Sequence, residues 1–129
     1  MACLIMTGKL RGFTFVELMV VLAIIAVLLT VALPRYFSGL ERAQEAVLKQ
    51  DLFTMREAID DYYVDKGHYP EDLQTLVEQR YLRTIPVDPV TDSSETWILL
   101  GLPQQPNVVY DIRSGAQGTA TDGNLYYDW

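Results

Sequence analysis

FTFVELMVVLAIIAVLLTVAL, residues 13–33, is interrupted only by Thr14, Glu17 and Thr30, and it holds 18 of the chain's 64 apolar residues. As a helix its 21 residues reach roughly 31 Å, close to the ~30 Å hydrocarbon thickness of a bilayer. The run is apolar all round, unlike a surface helix with one polar face. The segment before it carries Lys9 and Arg11 and no acid, which is the basic flank of an exported or inserted segment. A formal charge of −7 removes the basic footprint that nucleic acid requires. Cys3, the single cysteine, excludes an internal disulfide and a cysteine-built zinc site. A chain of 129 residues leaves room beside the run for one small domain.

Three readings of the run compete. A cleaved secretory signal needs a shorter apolar core and a small-x-small exit, of which Thr30-Val31-Ala32 is a poor version. A plain membrane anchor accounts for the length but leaves Glu17 unexplained. Counting cations does not orient it, because Lys9 and Arg11 precede the run while Arg35, Arg42 and Lys49 follow.

The third reading uses the order of residues. Lys9-Leu10-Arg11-Gly12, then Phe13-Thr14-Phe15-Val16-Glu17, then an apolar helix running to Pro34, resembles the processing signal of the type IV prepilin class. The resemblance implies that a prepilin peptidase cuts between Gly12 and Phe13 and that Phe13 becomes the N-methylated terminus. Glycine at the cut suits an extended, unobstructed backbone. Glu17 is then the fifth residue of the mature chain and Pro34 the twenty-second. The resemblance further implies an assembly role for Phe13 and Glu17, the carboxylate of one subunit facing the terminal amine of its neighbour. A local alternative stays open, in which Glu17 complements the positive end of its own helix.

Beyond Pro34, the residues Leu40, Ala43, Val47, Leu48, Leu52, Met55, Ile59 and Tyr62 recur at helical spacing and predict an amphipathic continuation with one buried stripe. Pro34 and Gly39 bracket a weak stretch, read as a helix kink or as a bend between two ordinary helices. The expected end lies at residues 63–66, with Gly67 as the stop. A short helix at 71–80, a connector at 81–89, and strands at 96–100 and 107–113 complete the expectation. The organisation expected is a leader at 1–12, a transmembrane and assembly helix at 13–33, its amphipathic continuation at 34–65 and a head at 66–129. The aromatic residues Tyr62, Tyr63, Tyr81, Trp97, Tyr110 and Trp129 are assigned to the core of that head.

The junction Asp65-Lys66-Gly67-His68-Tyr69-Pro70 and the segment Ile85-Pro86-Val87-Asp88-Pro89 are similar to the major pseudopilins of type II secretion. The tryptophan and glycine that usually follow that segment are missing here. The resemblance implies an α+β pilin-like fold, a long N-terminal helix packed on a small head with a short antiparallel sheet. It also implies a calcium ion in the C-terminal loop, drawing on Ser114, Ala116, Gln117, Asp122, Asn124 and Asp128. Gln117 stands where an aspartate is usual, which lowers the charge offered to a cation; the other reading is a glycine-rich turn bonded to backbone and water.

No enzyme emerges. His68 is the sole histidine and lies in a turn, and Ser38, Ser93, Ser94 and Ser114 sit in no nucleophile-elbow pattern. The cluster Glu57, Asp60, Asp61 and Asp65 reads as a solvated helix end with scope for a neighbour's cations. The implied function is that of a structural subunit of a periplasmic pseudopilus, with its own copies, other pseudopilins, prepilin peptidase, an inner-membrane platform and its ATPase as partners. Such a subunit is anchored once in the bacterial inner membrane. A type IV pilin or minor pilin, and a membrane-tethered binding or sensor domain, are the alternatives. Cutting at Gly12 would leave 117 cysteine-free residues with 8 basic against 17 acidic side chains.

Overall fold

The computed structural model describes Cys3, Gly8 and residues 11–129; Lys9 and most of the expected leader lie outside the described residues. Helix α1 spans Phe15–Lys66, and its helical pattern continues through both Pro34 and Gly39. It ends where expected: Gly67 adopts φ 77°, and its amide donates to the Tyr63 carbonyl at 2.8 Å. Glycine enters that left-handed conformation without the penalty a Cβ imposes.

The chain divides into two compact units, Met1–Ser38 and Gly39–Trp129. In the first, the described helix carries exposed apolar side chains on all sides. Its apolar part has the length and composition to cross a membrane, and among the described residues none of it is buried.

In the second unit, α1 buries Glu45, Leu48, Leu52, Met55, Ala58, Ile59 and Tyr62. These positions advance in helical steps along one face. The predicted stripe is corrected at its start. Leu40 and Val47 are 46% and 50% exposed and Ala43 is exposed, while Glu45 and Ala58 turn inward. The helical phase set by Leu48, Leu52 and Ile59 leads back to Glu45 and cannot also bury 43 and 47.

Helix α2 is Leu73–Glu78, shorter at both ends than the expected 71–80. Asp72 caps it, its Oδ1 accepting the Thr75 amide and hydroxyl, each at 2.7 Å. Arg80 then takes φ 66°, a left-handed residue that ends the helix, with the Tyr81 amide donating to the Leu76 carbonyl at 2.8 Å. The Thr75 hydroxyl, and then its amide, hold the Asp72 carboxyl below the usual carboxylate range. The cap's contribution is therefore complete above the ordinary carboxylate pKa and fades as pH falls through the lowered one. Asp72→Ala is expected to destabilise the full chain in detergent by about 1 kcal/mol at neutral pH, read as a shifted denaturant midpoint at constant slope.

Strands β1, Ile98–Leu100, and β2, Asp111–Arg113, pair antiparallel with Leu99 opposite Ile112. Both are shorter than the 96–100 and 107–113 expected. Just before β2 the Tyr110 amide still donates to the Leu100 carbonyl of β1 at 2.8 Å, whereas the Val109 amide leaves the pair for the Pro70 carbonyl at 2.7 Å. The α1 stripe packs with Leu73, Leu76, Leu82, Trp97, Val109 and Ile112 into the core. The Trp97 indole donates to the Pro86 carbonyl at 2.8 Å and so pins the connector to it. The aromatic expectation holds for Tyr62 and Trp97, whereas Tyr81 and Trp129 are only partly buried and Tyr63 and Tyr110 are 44% and 49% exposed. Those last two flank Tyr69, which stacks on Tyr63 at 4.4 Å and meets Tyr110 edge-on at 5.3 Å.

Candidate functional site

Two regions drew site residues from the sequence, the start of α1 and the C-terminal loop. At the start of α1 the first helical amides lack intrahelical partners. Thr14 and Glu17 supply them reciprocally: the Glu17 amide donates to Thr14 Oγ1 at 3.1 Å, and the Thr14 amide reaches Glu17 Oε2 at 3.4 Å. This is a capping box, the threonine-x-x-glutamate pattern legible in residues 14–17 but not used in reading them. The second bond is long and correspondingly weak. Gly12 and Phe13 lie just outside the helix, Phe13 82% exposed and Gly12 with open space where a Cβ would stand. The scissile bond expected between them is thus free of the helix, and Glu17 lies one turn inside it.

Pro34 lies within α1, and Gly39 begins the second compact unit.

The tail residues engage different partners. Ser114 is fully buried and its hydroxyl donates to Asp88 Oδ2 at 2.5 Å while accepting the Ala116 amide at 3.0 Å. Asp88, also fully buried, takes the Val90 amide at 2.8 Å and the Thr91 amide at 3.3 Å on its other oxygen. Ala116 is buried and Gln117 exposed. Asp122 is satisfied within its own turn, its oxygens accepting the Asn124 amide at 3.0 Å and Nδ2 at 3.1 Å, with Lys49 Nζ at 4.0 Å. The Asn124 amide is the main cause of its carboxyl lying below the usual range. Asp128 is exposed in the 3₁₀ turn Tyr126–Asp128. Among the described residues no three Asp, Glu, His or Cys side chains converge. Calcium takes six to eight oxygens, carboxylates foremost; a donor set whose two aspartates are Asp122, already bonded to Asn124, and Asp128, exposed in the 3₁₀ turn, does not fit it.

Three residues that sequence reasoning passed over tie the tail to α1. Glu45, 7% exposed, accepts the Thr121 amide at 2.8 Å, the Thr121 hydroxyl at 2.5 Å and the Tyr126 hydroxyl at 3.1 Å. Arg56 donates through Nε to Asp111 at 2.9 Å and through Nη2 to the carbonyls of Ile112 and Trp129 at 2.8 and 2.7 Å. Lys49 lies 4.2 Å from the ring centroid of Trp129. Glu45 was detectable as a carboxylate in step with Leu48 and Leu52; Arg56 and Lys49 gave no signal beyond ordinary helix surface.

Comparison with known families matches residues 9–33 to the prokaryotic N-terminal methylation motif. The chain is 33% identical over 99 residues to type II secretion system core protein G of Escherichia coli K12, covering 64% of this chain and 68% of that one. The corresponding protein of Klebsiella pneumoniae is 34% identical over 95 residues, 61% of this chain and 68% of the relative. Fimbrial protein EcpC of Eikenella corrodens is 27% identical over 126 residues, 92% of this chain and 80% of its own. No solved structure matches the chain significantly.

Proposed function

The chain belongs to the type II secretion system core protein G family, and we propose from that premise how its parts divide the work of a pseudopilus subunit. Residues 1–12 are a leader removed at Gly12, 13–33 the membrane-stored assembly helix, 34–65 its amphipathic continuation and 66–129 the head. The carrying observation is the junction of Gly12-Phe13 and Glu17 with a helix whose apolar surface is exposed among the described residues.

In lipid the apolar helices have no hydrophobic reason to leave their surroundings, since the tails are as apolar as leucine. Polar groups therefore decide which helix goes where. A carboxylate at membrane depth is costly by a few kcal/mol on insertion scales. Cutting after Gly12 creates a second such group, the Phe13 ammonium. Glu17 of one subunit and the Phe13 amine of the next relieve each other when neighbours are displaced by about one helical turn. The capping box holds Glu17 until then, and the weak Thr14 bond is readily exchanged for an ammonium. The head faces the periplasm, and an inner-membrane platform with its ATPase supplies the work of stacking.

Mass analysis of the membrane-extracted protein tests the processing step. The expected chain begins at an N-methylated Phe13; an intact leader overturns the assignment. A pilin of a surface filament is the second reading, favoured by the fimbrial relative matched over 92% of this chain. Labelling the filament on intact cells separates the two by its location.

A further inference from the structure

We propose that the C-terminal loop is latched by the carboxylate of Glu45 and holds its shape without a divalent cation. Glu45 projects from α1 beside the first residues of the core stripe and is almost wholly removed from solvent. A buried carboxylate is tolerated only where donors match it. Three do so here, at 2.8, 2.5 and 3.1 Å, all from the loop: the amide and hydroxyl of Thr121 and the hydroxyl of Tyr126. The Thr121 hydroxyl foremost holds the Glu45 carboxyl below its usual range, against burial and the like charge of Asp122, so the charged form faces the loop at neutral pH.

The sense of this arrangement is opposite to that of a cation cage. A cage turns loop oxygens toward a central positive ion; here loop N–H and O–H groups turn toward a central negative group supplied by the helix. The loop's own turns complete the fit. The Ala120 amide donates to the Asn124 carbonyl at 2.7 Å and the Gly123 amide to that of Ala120 at 3.0 Å, with Gly123 at φ 89°. Asp122 is closed on Asn124 and faces Lys49, which leaves it no need of an ion. Hydrogen bonds to a charged acceptor rank among the stronger ones. The helix that stacks the subunits thus also folds the tail, and the head keeps its shape in surroundings poor in calcium.

The test uses the unassembled full-length chain in detergent micelles, so that failure of the latch and failure of assembly are read separately. Adding calcium chloride or a calcium chelator is expected to leave the melting midpoint unchanged. A rise with calcium and a fall with chelator overturns the proposal. Amide hydrogen exchange supplies the second arm. Glu45→Ala is expected to speed exchange at Thr121 at least about tenfold, the scale of one lost bond to a charged acceptor, with core amides such as Leu52 changing less. Should that variant lose its core as well, Thr121→Val removes one donor without touching the helix and is expected to loosen Tyr126 and Thr121 alone. Unchanged protection at Thr121 in Glu45→Ala overturns the latch.

Discussion

Glu17→Val is expected to leave cleavage at Gly12 intact and to reduce incorporation into filaments by about two orders of magnitude. The magnitude follows from a few kcal/mol for an unpaired charge at membrane depth, with tenfold for each 1.4 kcal/mol. The variant removes the carboxylate but leaves the neighbour's Phe13 amine, so one unrelieved charge remains per contact. Cleavage survives because the bond between Gly12 and Phe13 precedes the helix. Cross-linking between helices of neighbouring subunits in membranes, normalised to processed protein, measures the loss. Thr14→Ala is the companion. It breaks the capping box that joins Thr14 and Glu17 at 3.1 and 3.4 Å, and it keeps the carboxylate. If the inter-subunit pair matters, Thr14→Ala assembles nearly normally, because a lost cap costs about 1 kcal/mol of helix stability. Equal defects in the two variants would mean that Glu17 serves only its own helix.

Gly115→Ala is expected to destabilise the head by about 3 kcal/mol, at the upper end for added volume in a packed site. Gly115 follows β2, and a Cβ there would overlap the Thr96 carbonyl oxygen and stand 3.0 Å from its carbon. Those atoms are backbone and cannot swing aside. The neighbours on each side, Ser114 and Ala116, are buried, Ser114 bonded to Asp88, so the segment cannot retreat as a body. Glycine is required at this position for space. The same methyl at Gly39 meets nothing within 4 Å and lies inside α1. Gly39→Ala is accordingly expected to stabilise by somewhat under 1 kcal/mol, the helix-propensity difference. Denaturant midpoints of the two variants in detergent, moving in opposite directions, would separate close approach from propensity.

What was legible in the sequence follows the range over which each residue acts. The apolar run at 13–33 imposes one simple demand, and its length and composition were enough to mark a helix able to cross a membrane, which α1 contains. Gly67 as a stop, and a short helix within 71–80, follow from residues close by in the chain. The stripe fails at 40, 43 and 47 because its phase runs through Glu45, a carboxylate that an apolar pattern passes over. Its partners, Thr121 and Tyr126, lie 76 and 81 positions away, a distance over which no local pattern speaks. Strands of three residues are too short for alternation to show, and the Val109 amide, spent on Pro70, keeps β2 from reaching back to 107. The capping box was readable in residues 14–17 but was overshadowed by the other role given to Glu17.

The two strands have a consequence for life in a crowded bilayer. A two-stranded sheet leaves an outer edge on each strand, and an outer edge is where a second chain adds by main-chain pairing. Here each edge is three residues long, offering too few groups to template a lasting ribbon. Lateral confinement of anchored subunits raises their local concentration far above that of a dissolved protein. On the proposed reading of anchored subunits, strands this brief would give the heads little main-chain edge by which to stick together.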